Sequence, residues 1–489
     1  MATNHHHRHN HQNHGQEEEE EEASVIVLMV PFPIHSHSNQ LLLLSSLISS
    51  YNILVHFAGC ASQNSQVRSR AHSSINPNQF SKVQFHDFTI PPFVPDPNSD
   101  SSEFLLPHYH VVKHLRQPVS ALLHNLSKKT KRIVVIHDVL TSSAVQDVPS
   151  IPNAESYIFQ AVTAFTVLGF VCNSSSQRFI PTPKELAHEI HNPIQIPSLE
   201  GLFSSETSNF FAMQTSFMRF ASGHIYNSCR LIDGAFLDLL MKIHNDYKDK
   251  KFWAVGPLHQ LITSKNIEFS DGKNDKCLGW LDKQEPNSVL YVSFGTTISM
   301  ADHDQQLKEL ALGLELSGAK FIWVCRDADH DKRDGVEGGN KRPQLLDRLA
   351  DRVKGVGLVV RDWAPQTEIL QHPSTGGFLS HCGWNSCLES ISNGVPIATW
   401  PMHSDQPLNA VLVTEALRIG LNVKDWARRD EVVSSSEISK AVRRLMASDE
   451  GDEMRKRAKE LGKAVRSATN DGGVSCVECD SFIDYITRS

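Results

Sequence analysis

Residues 363–406 read W-A-P-Q-T-E-I-L-Q-H-P-S-T-G-G-F-L-S-H-C-G-W-N-S-C-L-E-S-I-S-N-G-V-P-I-A-T-W-P-M-H-S-D-Q, 44 residues without a lysine or arginine. Residues 377–380 have the character of a short strand, and a helix is expected to begin near Asn385. The unpaired amides of a helix start attract an anion, and His381, Asn385 and Ser386 add side-chain donors beside them. A diphosphate fits that arrangement without a metal. Glu389 falls one turn into the helix, where a carboxylate can accept bonds from two ribose hydroxyls. Trp363 offers a flat face to a base and Gln366 an amide edge. Asp405 and Gln406 close the segment with the acceptors and donors that sugar hydroxyls need. Singly, each residue has an ordinary structural explanation, such as a core tryptophan or an N-capping serine. Their occurrence together, in this order, points to a ligand.

On both sides of the segment, apolar runs alternate with helical patterns. One series has strand candidates at 25–30, 53–57, 83–85 and 133–136, with helices expected at 39–50, 109–127 and 208–225. A second has strands at 289–294, 321–325, 358–360, 377–380 and 397–400, with helices at 305–316, 437–447 and 452–466. This rhythm predicts an α/β protein of two doubly wound, Rossmann-like domains facing across a cleft. Ligands are expected at the carboxyl ends of the strands. The expected divisions are a His/Glu-rich leader at 1–22, a first domain at 23–250, a second at 251–465 with a linker at about 259–276, and a helix within 466–489 returning to the first domain. The charged run at 326–342 reads as a loop.

Composition narrows the function. The chain of 489 residues is 40% hydrophobic and 21% charged, ordinary for a globular protein. It carries 47 lysines and arginines against 55 acids, a net charge of −8. That excludes a nucleic-acid binder relying on a basic surface. Much of the acidity is the run Glu17 to Glu22; beyond residue 22 the count is 46 bases to 49 acids. Six histidines between His5 and His14 make the leader a low-complexity tract. No run approaches the ~20 apolar residues that span a bilayer, and the start has no signal-peptide core. No membrane insertion and a cytoplasmic location are therefore expected, with the nine cysteines, including the lone C-x-x-C of Cys476 and Cys479, kept reduced. No G-x-G-x-x-G follows the first strand and no G-x-x-x-x-G-K-[ST] occurs, which argues against a nicotinamide or P-loop enzyme.

The 44 residues resemble the plant secondary-product glycosyltransferase box of UDP-sugar-dependent glycosyltransferases. The match includes Trp363, Ala364 and Gln366, the H-C-G-W-N-S core, Glu389 and the closing Asp405-Gln406, and the resemblance extends from about residue 25 to the C-terminus. It implies the two-domain GT-B fold, a monomer, a UDP-sugar co-substrate, a small-molecule acceptor, and neither a cofactor nor a metal. It further implies that Trp363, Ala364 and Gln366 hold uracil and Glu389 the ribose. His381, Asn385 and Ser386 would hold the diphosphate, and Trp384, Asp405 and Gln406 the sugar. Thr296, after V-S-F-G, matches a phosphate-contacting residue, and Thr163 falls where a family threonine reaches the sugar. The final Gln406 implies UDP-glucose, with UDP-xylose second.

Transfer to a hydroxyl needs a base, and a neutral histidine oriented by a buried carboxylate suits it. The turn after the first strand reads P-F-P-I-H-S-H-S-N-Q, and His37 aligns with the family's Q-G-H histidine. His35 and Ser36 replace the glutamine and glycine, so His35 stands as a second candidate. Asp138 follows the apolar run 133–136 and matches the aspartate that pairs with the base. A turn cap is its structural alternative, and Asp147 is a weaker competitor. Phe32, Phe88 and Phe93, with Ser404, are candidates for holding a flat apolar acceptor. Residues 30–59 and 136–148 resemble the branch containing zeatin O-glucosyltransferases. The resemblance implies an inverting enzyme forming a β-glucoside on a cytokinin hydroxyl. Flavonoids, other phenolics and terpenoids are the alternative acceptors, and a non-catalytic nucleotide-sugar-binding protein is the alternative class.

Overall fold

The computed structural model describes residues 23–74, 82–95, 105–175, 177–183, 192–243, 250–264, 276–295, 304–325 and 351–488. The leader, Thr296 and the 326–342 run lie outside them. The first half contributes strands β1 (Ala23–Val30), β2 (Leu54–Cys60), β3 (Val83–Phe88), β4 (Thr130–Asp138) and β5 (Ala154–Gln160). A small antiparallel pair follows, β6 (Phe179–Ile180) with β7 (Ile194–Gln195), and then β8 (Gly223–Tyr226) and β9 (Lys251–Ala254). All but the pair form one parallel sheet in the order β3-β2-β1-β4-β5-β8-β9.

β1 reads A-S-V-I-V-L-M-V and its described residues from Val25 onward are buried, as a central strand covered on both faces requires. Val27 and Met29 enter the core beneath the His35–Ser49 helix. Ile26, Leu28 and Val30 enter the core beneath the Leu106–Leu126 helix. The 35–49 helix is buried along most of its length although it is rich in serine. Ser45, Ser46 and Ser49 donate back to carbonyls of the preceding turn at 2.7, 3.2 and 3.1 Å, so no hydroxyl among them is left unsatisfied.

The second half supplies β10 (Val289–Ser293), β11 (Lys320–Val324), β12 (Gly357–Val360), β13 (Thr375–Ser380), β14 (Ile397–Thr399) and β15 (Gly420–Asn422). They form a second parallel sheet ordered β12-β11-β10-β13-β14-β15. Strand order reverses between β1 and β4 in one sheet and between β10 and β13 in the other. Those two reversals open the crevices where doubly wound sheets take ligands.

Four elements depart from the expectation. The helix expected at 208–225 is Ser205–Phe217, and Ile225 lies in β8, whose four residues are too few to show a period. β9 pairs with β8, so the first sheet runs past residue 250 to Ala254. The start of the expected linker is a helix, Leu258–Ser264, and Leu258, Leu261 and Ile262 are buried in the first-domain core. The turn at 31–40 is helical from residue 35 onward. At the C-terminus, Val474–Thr487 sets Cys476, Cys479, Phe482, Ile483 and Ile486 into the same first-domain core. All nine cysteines are free and buried.

The two halves share one apolar cluster. Phe165, Leu168 and Leu240 from the first pack in it with Trp384, Leu388 and Leu408 from the second. Among the described residues, no helix is long and apolar enough to cross a membrane.

Candidate active site

His37 and Asp138 meet at the first reversal. The opening turn of the 35–49 helix is braced by Ser38, whose hydroxyl lies 3.0 Å from the Phe32 carbonyl and 2.9 Å from that of Ile34. This sets His37 beyond the end of β1 with Nδ1 2.7 Å from Asp138 Oδ2 at the end of β4. Asp138 is fully buried, and its other oxygen accepts the Leu140 amide at 2.8 Å. Cap and histidine partner are thus the same residue, one role per oxygen. Asp147 pairs instead with Arg116 on the outer face at 2.8 Å. Burial pulls the His37 pKa down, but the charge of Asp138, its hydrogen bond and the charge of Asp405 together carry it above the ordinary value. The carboxylate also retains the proton on Nδ1, leaving the Nε2 lone pair to act as a base. The Phe32 ring, itself buried, meets the imidazole edge-on with centroids 5.5 Å apart.

The donor segment begins on the exposed rim. Trp363 is 68% exposed, its ring available for stacking, while Ala364 is buried. Gln366 opens a short helix, Gln366–Gln371. Its amide donates to Ser386 Oγ at 3.0 Å and Glu389 Oε2 at 2.7 Å, and its carbonyl accepts from Tyr291 at 3.3 Å. A carbonyl lone pair is what Gln366 retains for a base. Burial pushes the Glu389 carboxyl up to about 7 against the opposing Gln366 bond, with Glu368 adding to the rise.

The strand β13 ends at Ser380 and the helix Trp384–Asn393 follows, N-capped by Gly383 with no side-chain cap. His381 sits at its mouth. A Cβ on Gly295 or Gly383 would come within 2.5 or 2.6 Å of its Nε2, so glycine at both positions is what admits the ring. Burial and the neighbouring His403 lower the His381 pKa to about 3, opposed by the Ser293 carbonyl, and its Nδ1 is buried without a hydrogen-bond partner. Asn385 donates to the Ser36 carbonyl at 3.1 Å, so the uncapped helix start touches the turn that carries His37.

At three of the expected sugar contacts, side-chain polar groups already have protein partners. The Trp384 indole is 3% exposed and its N–H donates to the Asn227 carbonyl at 2.8 Å, so the ring braces the two domains. Thr163 is fully buried; its hydroxyl caps the Ala164–Ser174 helix at Thr166 N, 2.9 Å away, and donates to the Thr166 hydroxyl at 3.0 Å. The Gln406 carbonyl accepts the Met402 and His403 amides at 2.8 and 3.1 Å, and its NH₂ lies 3.1 Å from His403 Nε2, which leaves one amide hydrogen for a ligand. The Asp405 carboxyl is buried and raised by desolvation; it accepts from Asn409 at 2.6 Å, and its charge and that of His37 act on each other.

On the acceptor side, Phe32 shares a small apolar cluster with Tyr109, Val112 and Phe210. Phe88 packs into the core under the 106–126 helix, and Phe93 lies edge-on to His110. Ser404, at φ 57°, bonds His403 at 3.0 Å. Sequence reasoning missed His108, its ring centroid 6.1 Å from that of Phe32 and its pKa lowered by burial, against the Pro33 carbonyl and with the charge of His37 adding to the fall. It also missed Asn227, which joins Gln40 at 3.0 Å and Leu258 N at 3.0 Å. No motif announces either residue. Among the described residues no group of three or more His, Cys, Asp or Glu is placed to hold a metal ion.

This geometry agrees with comparison to known proteins. Residues 23–260 match a family described as the glycosyltransferase N-terminal domain, and residues 259–453 the family described as UDP-glucoronosyl and UDP-glucosyl transferase. The chain is 47% identical to a zeatin O-glucosyltransferase of Phaseolus lunatus over 92% of its own length and 94% of that protein's. The chain belongs to the plant UDP-glycosyltransferase family. A zeatin O-xylosyltransferase of Phaseolus vulgaris is also 47% identical, over 92% of this glycosyltransferase and 95% of the relative. Among solved structures, a Medicago truncatula enzyme complexed with UDP-glucose superposes with a TM-score of 0.72 at 26% identity, covering 95% of this chain and 98% of that one. The two sheets of the glycosyltransferase are the two Rossmann-like halves of the GT-B fold.

Proposed function

We propose that this UDP-glycosyltransferase is an inverting O-glucosyltransferase that uses UDP-glucose and acts on the side-chain hydroxyl of a zeatin-type cytokinin. The observation that carries the chemistry is the 2.7 Å His37–Asp138 pair set against an uncapped helix start through the Asn385–Ser36 bond. The acceptor hydroxyl gives its proton to His37 Nε2 as its oxygen attacks the anomeric carbon from the open face. The bond to the UDP oxygen breaks on the opposite face, so the configuration inverts. Asp138 stabilises the imidazolium, and the helix amides take the charge that develops on the leaving diphosphate. The base stacks on Trp363, the ribose bonds Glu389, and Asp405 with the Gln406 NH₂ receives the sugar hydroxyls.

The cytokinin reading rests on the zeatin-acting relatives. Their names divide between glucosyl and xylosyl transfer at equal identity, and Gln406 favours glucose. The test is to incubate the full chain with UDP-glucose or UDP-xylose and a panel of trans-zeatin, cis-zeatin, flavonols and terpenoid alcohols, reading product masses. Zeatin plus one hexose, in preference to the other products, is the expected result. Preferred transfer to a flavonol, or pentose addition, would overturn the acceptor or the donor assignment respectively.

A further inference from the structure

Asn409 lies three residues past the donor segment and is fully buried. Its amide donates to Asp405 Oδ2 at 2.6 Å and to the Cys382 carbonyl at 2.9 Å. Its carbonyl accepts from the Thr166 hydroxyl at 2.9 Å, and Thr166 in turn accepts from Thr163 at 3.0 Å. Both amide hydrogens are therefore engaged, and the side chain is fixed in one orientation. Each bond reaches a different part of the site. The charge of Asp405 acts on His37. Cys382, at φ 65°, forms the left-handed turn from which the donor helix departs. Thr166 belongs to the first turn of the Ala164–Ser174 helix in the opposite domain.

Thr163 and Thr166 are both fully buried. The start of their helix is held by Asp233, which accepts the Ala164 and Phe165 amides at 2.6 and 3.1 Å, and by Thr163, which accepts the Thr166 amide. The Thr163 hydroxyl donates to that of Thr166, which reaches Asn409. A buried carboxylate needs donors to remain ionised. Asn409 supplies one to Asp405, and the Trp384 amide supplies another.

We propose that Asn409 is a positioning residue for the sugar: held by Thr166 from the opposite domain, it fixes the Asp405 carboxylate in the orientation that accepts sugar hydroxyls, so that sugar recognition depends on docking of the two domains. This rests on the reading of Asp405 as a sugar-binding group. A merely structural asparagine would weaken UDP and UDP-glucose binding alike, whereas a positioning residue affects the sugar and spares the nucleotide.

The experiment uses the full chain and measures Kd for UDP and for UDP-glucose without acceptor, then kcat and KM with acceptor. Thr166→Val replaces the hydroxyl by a methyl and removes its bonds to Asn409 and Thr163. It is expected to leave Kd for UDP within about twofold and to weaken UDP-glucose roughly fivefold to tenfold, as loss of a buried hydrogen bond predicts. Thr166→Ser is expected to restore wild-type behaviour. Asn409→Ala should cost more, on the order of 100-fold in kcat/KM, and should add little in an Asp405→Asn background. Equal losses for UDP and UDP-glucose, unchanged UDP-glucose binding, or multiplicative losses in the double variant would overturn the proposal. A wild type that transfers no sugar would overturn the functional reading instead, and the acceptor-free binding comparison would still decide the role of Asn409.

Discussion

His37 Nδ1 and Asp138 Oδ2 stand 2.7 Å apart although 101 residues separate them along the chain. The contact exists because β1 and β4 are hydrogen-bonded neighbours, with Val30 opposite His137 at the sheet edge where strand order reverses. Two strand ends thus deliver the proposed base and its orienting carboxylate, and the Asn385–Ser36 bond sets the Trp384–Asn393 helix start against them.

His37→Ala is expected to lower glucosyl transfer by about 100-fold to 10,000-fold, the range for loss of a general base. UDP affinity should change little, while the melting temperature should fall because the buried Asp138 carboxylate loses its partner. Transfer kinetics beside calorimetric UDP titration check this; full turnover in a folded, UDP-binding variant would remove His37 from the mechanism.

Asp138→Asn should move the pH profile in a defined direction. The folded pKa of His37 lies above its ordinary value, mainly through Asp138 once burial is overcome. Activity requiring neutral His37 therefore rises through a pKa above about 6.5, and the variant's ascending limb should shift to lower pH. The linked stability has the opposite sense. It is fully present below the unfolded pKa of His37 and lost as pH rises through the folded value. The melting-temperature gap between wild type and variant should therefore narrow from pH 6 to pH 9.

Glu389 gives a donor-side titration. With its carboxyl at about 7 in the free enzyme, UDP affinity should weaken as pH falls from 8 to 6, because the protonated form loses acceptor capacity. Glu389→Gln should flatten that dependence, and Glu389→Ala should raise Kd roughly tenfold at pH 8, as loss of a charged hydrogen bond predicts. A wild-type Kd independent of pH would contradict the ribose assignment.

Trp363 and Trp384 should separate cleanly. Trp363→Ala is expected to weaken UDP about fivefold to 150-fold through lost base stacking, without lowering the melting temperature of the free protein, since the ring is 68% exposed. Trp384→Phe strands the buried Asn227 carbonyl and should destabilise the protein by about 1–3 kcal/mol, readable by denaturant unfolding.

The sequence by itself determined the family, the α/β rhythm, the two central strands and the residues around the helix start at Trp384. These follow from local chemistry: β1 is a run of apolar residues buried on both faces, and Gly383 lies two residues from His381 and leaves room for its ring. It did not show β8 or β9: 223–225 continue what reads as a helical segment, and each becomes a strand by pairing in the sheet beside β5. Nor did it show which polar atoms remain available. Trp384, Thr163 and Gln406 have the right chemistry for a sugar, but the Trp384 indole, the Thr163 hydroxyl and the Gln406 carbonyl are engaged by Asn227, Thr166 and the 402–403 amides; the first partner is met only when the two halves pack, and the others lie in local turns. Residue type sets what a side chain can bond. Burial, which tertiary packing alone decides, and the hydrogen bonds already made set what it has left to offer a ligand.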